Sequence, residues 1–325
     1  MKLRLLTGDD VRRCLQMPQA IDLMADAFAA LSSGQVEVPP RTKIASNVGT
    51  MLYKPALSSQ SGIYVVKAVS VFPGNVARQL PVTTGLLLVN DASTGLPLAL
   101  MDAEYLTALR TGAASGLACR LLANPHVTKA ALFGAGGQAG QQLAAMLATL
   151  PLEVVYVFSR STESAERFCR EQAANAGNCR LIPNPDRSEL KSCGVICTAT
   201  TSQTPVFSDD ELGPGVHING VGSFAPAMAE VPEATVCRAT VFVDQREACL
   251  GEAGDLRQPI EQGLLSADFH PAELGEVVLG TSTGRRSPNE LTFFKSVGNA
   301  VQDLYCATEV LRRAEQDSVG TMIDL

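Results

Sequence analysis

The chain has 325 residues, of which 46% are hydrophobic and 18% charged, a composition typical of a globular protein long enough for two domains. Its formal net charge of −7 argues against a nucleic acid or an anionic membrane as a partner. The N-terminus lacks the apolar core of a signal peptide, and no apolar run approaches the roughly 18 residues of a membrane span, so we expect a cytoplasmic protein.

The first part of the chain predicts a mixed α+β domain. Apolar residues at helical spacing predict one amphipathic helix over residues 11–31, and a long helix is expected over residues 103–123. Between them lie strand-like runs separated by turn signals, which are typical of a sheet that is at least partly antiparallel. These runs cover residues 41–44, 63–72 and 85–89. The pair Asn124-Pro125 closes the long helix and places a domain boundary near residue 124.

From residue 125 onward strands and helices alternate, which predicts a Rossmann-type, doubly wound parallel sheet. The predicted strands cover residues 130–133, 154–158, 195–199, 216–221 and 241–244. A final helix over residues 296–315 can fold back onto the first domain. The predicted fold class is therefore α/β, with a dinucleotide-binding domain over residues 125–295 and a second, mixed α+β domain formed by residues 1–124 and 296–325.

A glycine-rich turn stands between a predicted buried strand and a predicted helix at Lys129-Ala-Ala-Leu-Phe-Gly-Ala-Gly-Gly-Gln-Ala-Gly140. Gly134 permits a tight turn, and Gly136 lets the backbone approach a pyrophosphate because it has no Cβ. The helix that begins near Gln138 offers free N–H groups to phosphates, and Ala139 takes the place of the third glycine. This context predicts dinucleotide binding, the alternative being an ordinary glycine-rich turn.

The end of the next strand bears on the cofactor. An NAD site usually has Asp or Glu about 20 residues beyond the glycines, where the carboxylate bonds the ribose 2′-hydroxyl. This chain has Ser159-Arg160-Ser161 instead, and a guanidinium with two hydroxyls suits a 2′-phosphate. The pattern favours NADPH and leaves NADH possible. The alternative is that Arg160 is an ordinary loop arginine, and Glu163 lies close by.

Lys67 is the first candidate for chemistry. Period-two alternation along residues 63–71 puts it on the same face as Val65 and Val69, where an unpaired ammonium would be costly. One interpretation is a salt bridge at a sheet edge, with the head group reaching water. The other is a lysine that binds a substrate carboxylate or donates a proton. Arg41 and Arg110 are further candidates because arginine binds carboxylates in bidentate fashion, although each alone can be an ordinary arginine.

No metal site is predicted. The nine cysteines include no Cys-x-x-Cys pair. Cys193 and Cys197 flank a core-like strand, and none of the three histidines lies near them in sequence.

Seven motifs, in order through nearly the whole chain, resemble the ornithine cyclodeaminase/mu-crystallin family. They are Pro40-Arg41, Lys67-Ala-Val-Ser-Val-Phe-Pro-Gly-Asn75, Leu109-Arg-Thr-Gly-Ala-Ala-Ser115, Gly134-Ala-Gly-Gly-Gln-Ala139, Ile218-Asn-Gly-Val-Gly222, Glu273-Leu-Gly-Glu276 and Phe294-Lys-Ser-Val-Gly298. The resemblance implies a homodimer that forms through the substrate-binding domain, completed by the C-terminal helix. It also implies that Arg41, Lys67 and Arg110 bind the substrate carboxylate. The expected cofactor contacts are Thr111, Gly134, Gly136, Gly137, Gln138, Ala139, Ser159, Arg160, Ser161, Thr198, Ala199, Thr200, Val221 and Ser296.

The segment from Gly222 to Glu230 indicates which activity within this family the chain has. Cyclodeaminases and archaeal alanine dehydrogenases carry a Gly-x-Asp-x-Pro-Gly-Lys-x-Glu pattern, whose aspartate handles protons at the amino group. Matching Pro226 and Glu230 to this pattern places Phe224 at the aspartate and Met228 at the lysine. A phenyl ring cannot take a proton, but it can pack against a cyclic substrate, so we add Phe224 to the catalytic set.

The resemblance therefore favours NAD(P)H-dependent reduction of a small cyclic imino acid. The expected reaction converts Δ1-pyrroline-2-carboxylate to L-proline, with Δ1-piperideine-2-carboxylate to L-pipecolate as its six-membered homologue. Two alternatives stay open. One is ornithine cyclodeaminase or L-alanine dehydrogenase activity by way of another acid, and the other is a mu-crystallin-like small-molecule binding protein.

Overall fold

The computed structural model of the protein describes residues 2–324. The strands are β1 (Lys2–Leu6), β2 (Thr42–Ala45), β3 (Thr50–Ser58), β4 (Ile63–Val71), β5 (Thr83–Asp91), β6 (Pro97–Asp102), β7 (Lys129–Phe133), β8 (Val154–Phe158), β9 (Arg180–Pro183), β10 (Val195–Thr198), β11 (His217–Gly220), β12 (Thr240–Val243), β13 (Ala272–Glu273), β14 (Thr292–Lys295) and β15 (Thr321–Asp324). The α-helices are α1 (Gly8–Cys14), α2 (Met17–Ser32), α3 (Ala103–Leu122), α4 (Ala139–Thr149), α5 (Thr162–Gln172), α6 (Glu233–Arg238), α7 (Arg246–Glu252), α8 (Gly254–Glu261), α9 (Leu274–Val278) and α10 (Ala300–Gln316). Short 3₁₀ helices cover Pro73–Arg78, Arg187–Ser192 and Asp209–Glu211.

The chain divides into two compact units. The first comprises Met1–Arg110 and Asn299–Leu325, and the second comprises Thr111–Gly298. The first division falls inside α3, whereas the sequence placed a boundary near residue 124, after that helix. An unbroken helix carries no local signal of where its packing partners change, so only its end at Asn124-Pro125 is visible in the sequence.

The first unit is built on a seven-stranded sheet in the order β15-β1-β6-β5-β4-β3-β2. Its strands pair antiparallel except for β1 and β6, which run parallel. One face of β4 and β5 is buried through Val65, Leu87 and Val89. Helix α10 packs on α2 and on strands β3 and β4. The unit is thus a mixed α+β structure with a partly antiparallel sheet, as the sequence predicted.

The single helix predicted over residues 11–31 is wrong. The segment forms two helices, α1 and α2, which are separated by Leu15 and Gln16 in extended backbone conformations. Pro18 lies in the first turn of α2, where its missing N–H costs nothing, and it cannot continue a helix from the preceding turn. Strand β3, which pairs with both β2 and β4, was not predicted either.

The second unit contains an eight-stranded sheet in the order β13-β12-β14-β11-β10-β7-β8-β9. All neighbouring strands run parallel. The chain leaves β7 toward β8 and β9 on one side and returns to β10 on the other, so the strand order reverses between β7 and β10. This confirms the predicted Rossmann-type fold. Strands β9 and β13 and the inner strand β14 were not predicted.

Among the helices of residues 2–324, none combines the length and the apolar character needed to cross a membrane.

Candidate functional site

The glycine turn after β7 requires its first glycine. Gly134 has a φ of +110°, and a Cβ there would lie 2.5 Å from the carbonyl oxygen of Ala199. Both observations exclude a side chain at this position. A Cβ on Gly136 or Gly137 would meet no atom within 4 Å, so the space in front of the turn is open. Gln138 precedes α4, whose first N–H groups have no helical partner. The turn therefore fits a pyrophosphate at a helix N-terminus.

The loop after β8 is held in place by an asparagine that the sequence analysis did not identify. The backbone N–H of Ser159 donates to the Oδ1 atom of Asn184 (2.8 Å), and the Nδ2 atom of Asn184 donates back to the Ser159 carbonyl (3.0 Å). Ser161 caps α5 and donates its hydroxyl to Glu163 (3.0 Å). Between them Arg160 is exposed, and its guanidinium has no carboxylate partner within residues 2–324. These hydrogen bonds hold the residues on both sides of Arg160, and its guanidinium stays available to an anion.

Glu230 joins the segments that follow β10 and β11. Its side chain is fully buried. The Oε1 atom accepts from the backbone N–H (2.6 Å) and the hydroxyl (2.7 Å) of Thr200. The Oε2 atom accepts from the hydroxyl of Thr198 (3.0 Å) and from the backbone N–H groups of Gly222 (2.7 Å) and Ser223 (3.1 Å). Five donors thus converge on one carboxylate, between two of the strand ends where cofactor contacts were predicted.

A buried ion pair between Asp255 and Lys295 binds the backbone at Glu230. The Oδ1 atom of Asp255 accepts from the backbone N–H groups of Glu230 (2.7 Å) and Val231 (3.1 Å). Its Oδ2 atom accepts from the Nζ atom of Lys295 (3.0 Å), and both side chains are fully buried. Burial raises the pKa of Glu230, the positive charge of Lys295 lowers it, and the nearby Asp255 raises it. Strands β10, β11 and β14 are therefore connected by one polar network.

The remaining predicted cofactor residues lie in the same unit. Val221 donates its N–H to the Thr198 carbonyl (3.0 Å), and Ala199 donates to the Phe133 carbonyl (2.8 Å). The Ser296 hydroxyl donates to Asp244 (2.7 Å) and is buried. Thr111 is also buried, in α3. The structure thus brings Gly134, Ala199, Thr200 and Val221 together, whereas the Ser296 hydroxyl is committed to a carboxylate.

In the first unit, Lys67 belongs to a buried charge cluster. Its Nζ atom donates to the Oδ1 atom of Asp303 (2.8 Å) and to the Thr107 hydroxyl (3.0 Å). The Nε atom of Arg110 donates to the same Asp303 oxygen (3.1 Å), and its Nη1 atom donates to Gln302. Lys67 is 1% exposed and lies in an inner strand. The interpretation of Lys67 as an edge lysine that reaches water is therefore wrong.

A second lysine that the sequence analysis missed lies directly opposite. Lys54 in β3 pairs with Lys67 in β4, and it is also buried. Burial lowers the pKa of Lys54 well below its usual value, and the positive charges of Lys67 and Arg41 lower it further. No sequence signal marked Lys54, because Pro55 next to it interrupts the strand pattern. Arg41, just before β2, is partly exposed.

Burial lowers the pKa of Lys67 to about 8; Asp303 raises it, while the charges of Arg110 and Arg41 add to the lowering. Burial alone would raise the pKa of Asp303, but the charges of Lys67, Arg110 and Lys54 outweigh burial and lower it. One carboxylate is thus shared by two buried cations, so the cluster keeps positive charge. Such a cluster suits an anionic ligand, and a lysine of this pKa can hold or release a proton near neutral pH.

The profile of the ornithine cyclodeaminase/mu-crystallin family matches residues 1–318. The chain belongs to this family. It is 34% identical over 322 residues to a Δ1-pyrroline-2-carboxylate reductase from Bacillus cereus, with 98% of this chain and 99% of that protein covered.

Two solved structures are similar over the whole chain. The Thermococcus litoralis Δ1-pyrroline-2-carboxylate reductase in complex with NADH and L-proline has a TM-score of 0.93 and 34% identity, covering 98% of this chain and 99% of the other. An archaeal alanine dehydrogenase dimer with bound NAD also has a TM-score of 0.93, with 30% identity and complete coverage of both chains. The family resemblance predicted from the seven motifs is confirmed.

Phe224 is the residue that the motif match predicts at the aspartate position of the cyclodeaminase pattern. It follows Gly222 and Ser223, whose backbone N–H groups donate to Glu230. The Ser223 hydroxyl donates to the Met228 carbonyl (3.0 Å), which fixes the turn around it. The Phe224 side chain is 50% exposed. Its position leaves the ring free to contact a ligand, and its role in catalysis stays a prediction.

Within residues 2–324, no group of three or more His, Cys, Asp or Glu side chains is arranged to hold a metal ion.

Proposed function

We propose that the protein is an NAD(P)H-dependent ketimine reductase that converts Δ1-pyrroline-2-carboxylate to L-proline and acts on Δ1-piperideine-2-carboxylate as the six-membered homologue. The observation that carries this proposal is the buried Lys67–Asp303–Arg110 cluster, in a chain 34% identical over nearly its full length to a reductase solved with NADH and L-proline. A small anionic substrate with a nitrogen to protonate matches both the charge and the proton donor of this cluster.

In this proposal, each residue of the predicted catalytic set has its own role in the reaction. Arg41, Arg110 and Lys67 bind the substrate carboxylate, because guanidinium and ammonium groups donate charge-assisted hydrogen bonds to it. A bound nicotinamide supplies the hydride for the imine carbon. Lys67 supplies the proton that the nitrogen takes up, which leaves a secondary amine. Because the Lys67 pKa is about 8, most molecules carry this proton at neutral pH, yet its release is not strongly disfavoured. Phe224 packs against the substrate ring.

The second unit holds the cofactor in this proposal. The open turn at Gly134, Gly136, Gly137, Gln138 and Ala139 binds the pyrophosphate. The segments that Glu230 joins border the rest of the dinucleotide. These segments supply Thr198, Ala199, Thr200 and Val221, and the family resemblance adds Thr111 and Ser296, although Asp244 already accepts from the Ser296 hydroxyl.

The test is an assay of NADPH and NADH oxidation with a panel of substrates. We expect turnover with Δ1-pyrroline-2-carboxylate and Δ1-piperideine-2-carboxylate, and little with pyruvate plus ammonia. Ornithine with catalytic NAD should give no proline, because Phe224 cannot take the proton that cyclodeamination requires. Stoichiometric ammonia from ornithine would instead support the cyclodeaminase alternative. Tight binding of small acids without turnover of any imine would support the binding-protein alternative.

We further propose that NADPH is the preferred cofactor, because Arg160 is exposed at the end of β8. Arg160→Ala should raise the KM for NADPH about 10- to 150-fold, the equivalent of a charge-assisted contact of about 1.5–3 kcal/mol, with little change for NADH. Steady-state kinetics with both cofactors measure this. Arg170→Ala, which removes an exposed arginine of α5, is the matched control. Equal losses with both cofactors would show that Arg160 does not bind the 2′-phosphate.

We also propose a homodimer that forms through the sheet of the first unit. Strand alternation leaves Tyr64, Val66 and Leu86 on the face opposite Lys67, where they are 43%, 37% and 52% exposed. These side chains lie on neighbouring strands and form a shared apolar surface, which is typical of an interface. The similar alanine dehydrogenase was solved as a dimer. A second copy of this chain is therefore the partner that we propose for this face.

Leu86→Glu should weaken this dimer at least tenfold, because losing the burial of one leucine removes about 1.5–3 kcal/mol from each copy. Sedimentation equilibrium or light scattering after gel filtration measures the change in mass. The control is Leu264→Glu, which alters an exposed leucine of the second unit. A variant that keeps the wild-type mass at all concentrations would exclude this face as the interface.

A further inference from the structure

Asp303 is a buried carboxylate that the proposed function leaves without a task. It lies in the first turn of α10, and its side chain is 1% exposed. The Nζ atom of Lys67 is 2.8 Å from both of its oxygens, and the Nε atom of Arg110 is 3.1 Å from Oδ1. A carboxylate in the first turn of a helix is stabilised by the helix dipole. Asp303 therefore stays ionised and is fixed in one place.

Lys67 and Arg110 have more N–H groups than Asp303 and its neighbours accept. An ammonium has three N–H bonds, and Asp303 and Thr107 accept two from Lys67. A guanidinium has five, and Arg110 gives one to Asp303 from Nε and one to Gln302 from Nη1. Asp303 thus accepts one N–H group from each cation, and each cation has further N–H groups for a substrate.

Apart from Asp303, the charged groups around Lys67 are cations, and they oppose its protonation. Lys54 faces it from β3, Arg110 from α3, and Arg41 from the segment before β2. Cys306 on α10 also faces the cluster, but burial raises the pKa of its thiol, which stays neutral. Asp303 is the group that opposes both burial and these positive charges. Without it, Lys67 would lie among cations in a buried site and would lose its proton at a lower pH.

We propose that Asp303 is a positioning residue, which holds the Lys67 ammonium in one orientation and keeps it protonated so that it can give a proton to the nitrogen of a cyclic imine carboxylate. This inference rests on the proposed function. It assigns a task to α10 that neither the family motifs nor the strand pattern indicated.

The first test is the pH dependence of imine reduction by Asp303→Asn. Wild-type activity should fall as the pH rises through about 8, because Lys67 must be protonated. In the variant this alkaline limb should move down by about one pH unit, so that the ratio of activity at pH 6 to activity at pH 8 rises about fivefold. Glu315→Gln, which alters an exposed carboxylate of α10, should keep the wild-type profile. If Asp303→Asn has a lower Tm but the same alkaline limb as the wild type, Asp303 is only a structural ion-pair partner and the proposal fails.

A second variant covers the case in which Asp303→Asn does not fold. Asp303→Glu keeps the charge but moves it by one methylene. Its alkaline limb should stay near the wild-type position while kcat falls, because the ammonium is held in a different place. A wild-type kcat in this variant would overturn the proposal that the position of the carboxylate matters.

A third measurement does not depend on turnover. The chain has seven lysines, so the ¹³C-labelled lysine side chains can be titrated by NMR, and Lys67→Arg identifies the Lys67 signal. The Lys67 midpoint should be lower in Asp303→Asn than in the wild type. If no imine is reduced but the midpoint moves, the proposed function fails and the role of Asp303 in protonation stands. If imines are reduced and the midpoint does not move, the inference about Asp303 fails alone.

Discussion

Lys67→Ala should lower kcat/KM for imine reduction by at least about 100-fold, the loss that is typical of a general acid–base group, while the affinity for the nicotinamide cofactor stays unchanged. The reason is that one side chain both contacts the substrate carboxylate and supplies the proton. Lys67→Arg should restore only part of the activity, because a guanidinium keeps the carboxylate contact but cannot release a proton at neutral pH. Initial rates and NADH binding measured on the same preparation separate these effects.

Burial of Lys67 requires a control for folding. Its removal leaves Arg110 as the ion-pair partner of Asp303, and breaking a buried pair is often destabilising by about 3–5 kcal/mol. The Tm must therefore be measured for each variant, with Lys43→Ala as the matched change of an exposed lysine in the same sheet. A lowered Tm with wild-type activity in the folded fraction would make Lys67 a structural residue and would remove the proton donor from the proposed mechanism.

The Rossmann unit could be predicted from the sequence because its main signals are local. The buried strand β7, the turn at Gly134 and the start of α4 follow one another within twelve residues, and each has its own residue pattern. The inner strand β14 was missed for a physical reason. It has only four residues and ends in Lys295, whose charge is buried because Asp255 pairs with it from forty residues away. A sequence pattern cannot show such a partner.

The same limit applies to the candidate site. Strand alternation placed Lys67 on a buried face and predicted that it needs a partner, which is correct. The partner, Asp303, is 236 residues away in sequence, and no spacing rule connects them. Lys54 was missed because β3 was missed, and Pro55 hides that strand. The helix break before Pro18 is different, because proline marks it locally even though the apolar residues keep a helical spacing on both sides of it.

In the sequence Glu230 is only the last residue of a motif match, but in the structure its carboxylate accepts five hydrogen bonds beside the predicted cofactor site. The five donors from Thr198, Thr200, Gly222 and Ser223 all need an acceptor, and each oxygen of the carboxylate serves at least two of them. In Glu230→Gln one oxygen becomes an NH₂ group, which is a donor and faces other donors. At least one backbone N–H then loses its acceptor inside the protein.

Glu230→Gln should therefore lower the free energy of unfolding by about 3 kcal/mol, from hydrogen bonds to a charged group that contribute about 1.5–3 kcal/mol each. This corresponds to a Tm decrease of roughly 6–12 °C. Below that temperature the affinity for NADH should fall at least tenfold, because the segments after β10 and β11 lose their common anchor and no longer present Thr200 and Val221 in one arrangement. Thermal melts and titration of NADH fluorescence measure the two effects, with Asp210→Asn as an exposed carboxylate control in the same unit. Wild-type NADH affinity in a destabilised but folded variant would show that Glu230 stabilises the sheet without shaping the cofactor site.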